Sequence, residues 1–149
     1  MHNLVSKAQA HYKVLLENFH LFVDNPSAKL NINSLNYTFC KQRNILSIRP
    51  FNTLIEIRFS IVFDDKHRTL GEANFIKVDN DNNALRKENL IDQIWFDSKG
   101  DIYHVLGEEI SHSNLSDDDA FLNWINTSLE RLLHEQQFHP LKNSQHSLL

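Results

Sequence analysis

TLIEIRFSIVFD, residues 53–64, sets Ile55, Ile57, Phe59, Ile61 and Phe63 in alternation with Glu56, Arg58, Ser60, Val62 and Asp64. A period of two, rich in β-branched and aromatic residues, is the pattern of a strand with one face in a core. It is the longest such run in the chain and is read as a central strand of an antiparallel sheet.

Strand candidates flank it on both sides. In Leu30–Cys40 the apolar phase starts at Leu30 and Ile32 and slips to Leu35, Tyr37 and Phe39, which suggests a bulge near Asn33 and Ser34 or a strand that starts late. Lys41–Asn44 is a polar connection, and Asn44–Arg49 a further strand closed by Pro50. Beyond a polar turn at Asp65–Thr69, Leu70–Val78 is taken as a strand on context, because adjacent Phe75 and Ile76 spoil its alternation. Asp79–Asn89 reads as a hydrophilic connection with one helical turn near Ala84–Lys87.

Leu90–Leu106 is the clearest hairpin. Asp97-Ser98-Lys99-Gly100-Asp101 fits a type I turn with Gly100 in the left-handed region. Counting back from that turn, Phe96 faces Ile102, Ile94 faces His104 and Asp92 faces Leu106 on one side. Trp95 faces Tyr103 and Gln93 faces Val105 on the other.

Two amphipathic helices complete the pattern. Leu4–Val23 repeats apolar residues at three- and four-residue steps and is stopped by Asp24-Asn25-Pro26. Asp117–Gln137 carries Phe121, Trp124, Ile125, Leu129, Leu132 and Leu133 on one stripe, with Ser116 as its expected N-cap. The expectation is an α+β domain over residues 1–140. Its antiparallel sheet has about five to six strands, flanked by an N-terminal and a C-terminal helix, and residues 141–149 form a flexible polar tail. Either one helix covers each sheet face near the hairpin, or both pack on one face and leave Trp95 and Tyr103 uncovered.

Composition narrows the function. The 149 residues suit one domain, and a hydrophobic fraction of 41% with a charged fraction of 23% is ordinary for a globular chain. The single cysteine, Cys40, excludes an intramolecular disulfide, and no run approaches the roughly 18 apolar residues of a membrane span. With no leader-like opening, a cytoplasmic location without membrane attachment is expected. Net charge is −4, spread unevenly: residues 1–50 carry six Lys/Arg against two Asp/Glu, and residues 101–149 two against eight. That polarity suits docking on a charged partner, whereas the whole chain lacks the basic excess of nucleic-acid binding proteins. Lys41, Arg43 and Arg49 offer a small basic patch at most.

The chemical motifs do not close. Asp79, Asp81 and Asn83 match the first ligand spacings of a calcium loop, but Ala84 replaces the turn glycine and Leu90 the closing glutamate. His134-Glu135 with His139 places its second histidine five residues on, about 140° around a helix, where the two cannot share an ion. No metal or cofactor is therefore expected. Cys40 sits in no glycine-rich elbow, and no phosphate-binding or nucleophile-elbow motif occurs. His104, in the hairpin register above, would lie among Ile94, Phe96 and Ile102.

The leading expectation is a non-enzymatic module that binds another protein, of the inhibitor, immunity, anti-defence or secretion-chaperone kind, or that pairs with a second copy of itself. Trp95, Tyr103, Gln93 and Val105 would form the contact centre, and Glu108, Glu109, Asp117 and Asp118 a steering rim. The alternative is a ligand-binding or enzymatic domain with a pocket between helix and sheet near His104 and Cys40.

Overall fold

The computed structural model describes residues 4–24, 35–80 and 85–135. In chain order these form α1 (Leu4–Val23), β1 (Thr38–Cys40), β2 (Ile45–Ile48), a 3-10 turn (Pro50–Asn52), β3 (Leu54–Phe63), β4 (Thr69–Asn80), β5 (Arg86–Phe96), β6 (Asp101–Tyr103), β7 (Ser113–Asn114) and α2 (Ala120–Glu135). All seven strands lie in one antiparallel sheet in sequence order. The architecture is α+β with a helix at each end, as expected. The extra strand is β7, only two residues long. No helix among the described residues is long and apolar enough to cross a membrane.

The alternation in β3 propagates across the sheet through register. Ile57 lies opposite Leu46 and Phe75, and Phe59 opposite Ala73, which in turn faces Ile94. On this side α1 contributes Leu15, Phe19, Phe22 and Val23, and α2 contributes Phe121, Trp124, Ile125 and Leu132, all buried. The Phe22 and Phe121 rings meet edge to face at 4.9 Å, Phe75 meets Trp124 at 6.1 Å, and Phe19 meets Phe59 at 5.3 Å. Both helices therefore cover the same face. Burying each such side chain contributes roughly 1.5–3 kcal/mol, which makes this interface the main source of stability. Gly71 is required within it: a Cβ there would lie 2.4 Å from the Phe96 ring.

Where strand chemistry was legible, the expected turns form. Gly100 has φ +89°, its N–H donates to the Asp97 carbonyl at 3.0 Å, and the Asp97 N–H donates to the Asp101 carbonyl at 3.1 Å. The pairs Trp95–Tyr103 and Phe96–Ile102 follow as counted.

Other expectations are corrected. β6 ends at Tyr103, so Ile94–His104, Gln93–Val105 and Asp92–Leu106 do not pair. The chain turns away instead, through Gly107 at φ +94°, and Arg68 Nη2 donates to the Glu108 carbonyl at 2.7 Å. His104 is consequently exposed, not enclosed by apolar neighbours. Lys87 belongs to β5, not to a helical turn. Helix α2 begins at Ala120, because Ser116 sits in a turn where its N–H and hydroxyl both donate to Asn114 Oδ1. The expected bulge near Asn33 and Ser34, the Asp81–Ala84 segment and the 141–149 tail lie outside the described residues. A bulge does form at Ile91, between the pairs Phe75–Asp92 and Ile76–Leu90.

Candidate functional site

The opposite face of the sheet is covered by neither helix. Register places Glu56, Arg58, Ser60 and Val62 of β3 there, opposite Ile76, Asn74, Glu72 and Leu70 of β4, with Leu90, Gln93 and Trp95 of β5 beyond. Its polar side chains are joined to one another in two clusters.

The first is ionic. Arg58 donates to Glu56 at 2.6 Å and, through Nη1 and Nη2, to the two oxygens of Glu88 at 2.9 and 2.7 Å. Arg86 also bridges these carboxylates, to Glu88 at 2.9 Å and Glu56 at 3.0 Å. The hydrogen bond from Arg58, then that from Arg86, brings the Glu88 carboxyl down to about 2. Bonding to Glu88 likewise raises Arg58 above its ordinary value. Glu56 on β3 and Glu88 on β5 flank β4, so the guanidinium stems lie across it. Val78, on β4 in the row of Glu88, is only 4% exposed on this face.

The second cluster is a chain of neutral donors on one carboxylate. Glu72 Oε1 accepts from Ser60 Oγ at 2.8 Å and Asn74 Nδ2 at 2.9 Å, and Glu72 Oε2 accepts from Trp95 Nε1 at 2.9 Å. Gln93 Nε2 donates to Asn74 Oδ1 at 2.7 Å. Each side chain is fixed by the next, so the surface is ordered before any partner meets it.

At one corner the face is roofed. Asp64, with no exposed side-chain area, accepts from Arg68 Nε at 2.5 Å and from the N–H groups of Lys66 and Arg68 at 3.0 and 2.8 Å. Burial alone would push its carboxyl up, and these donors, led by the Arg68 guanidinium, more than reverse it and hold it low. Arg68 also stacks over the Tyr103 ring at 5.0 Å, and the Tyr103 hydroxyl donates to Asp97 Oδ2 at 3.0 Å. Burial, then that bond, raises the phenol above its usual range.

The expected contact residues therefore separate. Trp95 and Gln93 lie on the uncovered face, half-buried, with their polar atoms engaged. Tyr103 does not offer a surface: it is 5% exposed, beneath Arg68, and belongs to the packing of this corner. Val105 is 62% exposed on the loop after β6. In that loop Glu108 Oε1 accepts from the His104 N–H at 3.3 Å, and Glu109 is paired with Lys66. Asp117 accepts the Asn114 N–H at 2.9 Å in the turn before α2, where Asp118 is exposed. Glu108, Glu109 and Asp117 are thus each partly spent on local structure.

Cys40 and His104 do not converge either. Cys40 is on β1 and Trp95, near His104, on β5; four strand intervals at about 4.8 Å put roughly 19 Å between those strands. Among the described residues no three His, Cys, Asp or Glu side chains group closely enough to hold a metal ion.

Sequence reasoning missed Glu56, Arg58, Glu72, Asn74, Arg86 and Glu88. The signal was present in the polar alternate positions of β3 and β4, but their pairing needs a register set by the Asp64–Arg68 turn. No family model matches this chain, and neither a curated protein nor a solved structure matches it.

Proposed function

We propose that this chain is a protein-binding module and that its contact surface is the helix-free face of the sheet, centred on Trp95 and Gln93. The observation that carries the reading is the pre-ordered lattice of Glu56, Arg58, Arg86 and Glu88 with Ser60, Glu72, Asn74, Gln93 and Trp95. A surface already fixed by internal bonds loses little side-chain entropy when it docks. Three core strands of 10 to 12 residues give it length, and the roughly 800 Å² that a standard interface takes from each partner fits on such a face. Trp95 supplies a rigid aromatic anchor of the kind that dominates binding energy, and the flanking Leu90, 53% exposed, supplies apolar area.

The test is affinity capture from the native host with the wild-type chain, Trp95→Ala, Arg58→Glu and Glu130→Lys as baits, read by mass spectrometry. Glu130 is exposed on α2, on the other side of the molecule. Wild type and Glu130→Lys should retain the same protein, and Trp95→Ala and Arg58→Glu should lose it. Equal capture by all four baits overturns the proposal. A wild-type dimer in sedimentation that Trp95→Ala splits identifies the partner as a second copy.

A further inference from the structure

Trp95 and Tyr103 lie opposite each other on β5 and β6. The Tyr103 ring already carries a cation. The Arg68 guanidinium lies 5.0 Å from its centroid and is held there by Asp64, whose Oδ2 accepts from Arg68 Nε at 2.5 Å. Ring, guanidinium and fixing carboxylate make one set, in which stacking and ion pairing support each other.

Trp95 has two members of the same set. It is half-buried on the helix-free face, and Glu72 lies directly opposite it on β4. The Glu72 carboxylate is aimed by neutral donors alone: Ser60 Oγ and Asn74 Nδ2 on Oε1, Trp95 Nε1 on Oε2. Such donors orient a carboxylate without cancelling its charge. No Lys, Arg or His among the described residues pairs with Glu72, whereas Glu56 and Glu88 on the same face each hold both Arg58 and Arg86. The charge of this face that lacks a counter-charge is therefore at Glu72. An ionised carboxylate offers about four acceptor sites, and the bonds to Glu72 leave one open on Oε2, beside the indole.

We propose that the protein bound at this face presents an arginine, which stacks on the Trp95 ring and donates to Glu72 Oε2. This specifies the chemistry of the partner and depends on the face being a protein contact. Arginine suits the position because its flat, weakly hydrated guanidinium stacks on aromatic faces and keeps N–H groups at its edge for a carboxylate.

Acetyl-Gly-Arg-Gly-amide and its neutral citrulline isostere are titrated into the ¹⁵N-labelled full chain while the two indole N–H signals are followed. Trp95→Phe assigns them, and the buried Trp124 is the internal reference. The Trp95 signal should move at least ~5-fold further with the arginine peptide than with the citrulline peptide at equal concentration. Glu72→Gln should abolish that difference. Should this variant not fold, Trp95→Leu, followed at the Glu72 amide, should abolish it instead. As a capture bait, Glu72→Gln should lose the protein that wild type retains. An equal response to the two peptides, a preference that survives these substitutions, a Trp95 signal unmoved by both at ~50 mM, or undiminished capture by Glu72→Gln overturns the proposal. A wild-type bait that retains no protein overturns the protein-binding reading instead, so the two fail separately.

Discussion

The two faces of the sheet use alternate residues of the same strands and are held by different forces. On the helix side, Ile57, Phe75 and Ile94 are stabilised by removal from water, and the order of their contacts follows from shape. On the other side, Arg58, Glu72, Asn74 and Trp95 are only half-buried, Glu56 is buried beneath its two arginines, and their order comes from directed bonds between charges and amides. The lesson is that order and stability are separable. The exposed bonds of the uncovered face fix its geometry and contribute little to the folding free energy, since exposed ion pairs are worth about 0–1 kcal/mol.

Three substitutions can break or sharpen that contrast. The largest effect belongs to Phe75→Ala on the helix side, which should cost about 3–5 kcal/mol in urea unfolding by opening a cavity against Trp124. A cost under about 1 kcal/mol would mean the helices do not depend on this face. Next is Asp64→Asn, which unpairs Arg68 at the roofed corner and should cost about 2–3 kcal/mol near pH 7. Its folded carboxyl is held below the ordinary value of 3.8, so the stabilisation is present above that value and is lost as pH falls through the lower folded one. Unfolding curves of wild type and variant should converge on acidification below pH 3.8; a constant gap contradicts the ionic account. The smallest effect is Arg58→Ala, about 0.5–1 kcal/mol and reduced further by salt of about 1 M. A loss above about 2 kcal/mol would show that the ionic cluster is a structural element of the fold and not a dressed surface.

Much of this division could be read from residues 53–64, whose alternation already assigns Ile55 and Ile57 to one side and Glu56 and Arg58 to the other. The Gly100 turn and the Trp95–Tyr103 register were legible for the same reason: the determinants are local. What escaped was non-local. Helix stripes state that a helix packs, not on which face, and that depends on Phe75 meeting Trp124 and on Ser128 reaching Asp92. The early end of β6 depends on Arg68 capturing Glu108 forty residues away in sequence. Arg86 and Glu88 looked like loop because charged residues rarely line a strand, and only their partners on β3 explain them. That the Trp124 indole N–H lacks a partner could not be foreseen, because it is a property of the packed state alone.

Strand order has a consequence for assembly during synthesis. Each strand lies beside the next in sequence, so the sheet can grow hairpin by hairpin with short loop closures. Helix α1 is different: Leu15, Phe19 and Phe22 emerge first, but Phe59 and Phe121, against which the latter two rings lie, come about 40 and 100 residues later. At about 5–20 residues per second, the nascent chain carries that apolar stripe uncovered for seconds, which is the interval in which a ribosome-bound chaperone would engage it.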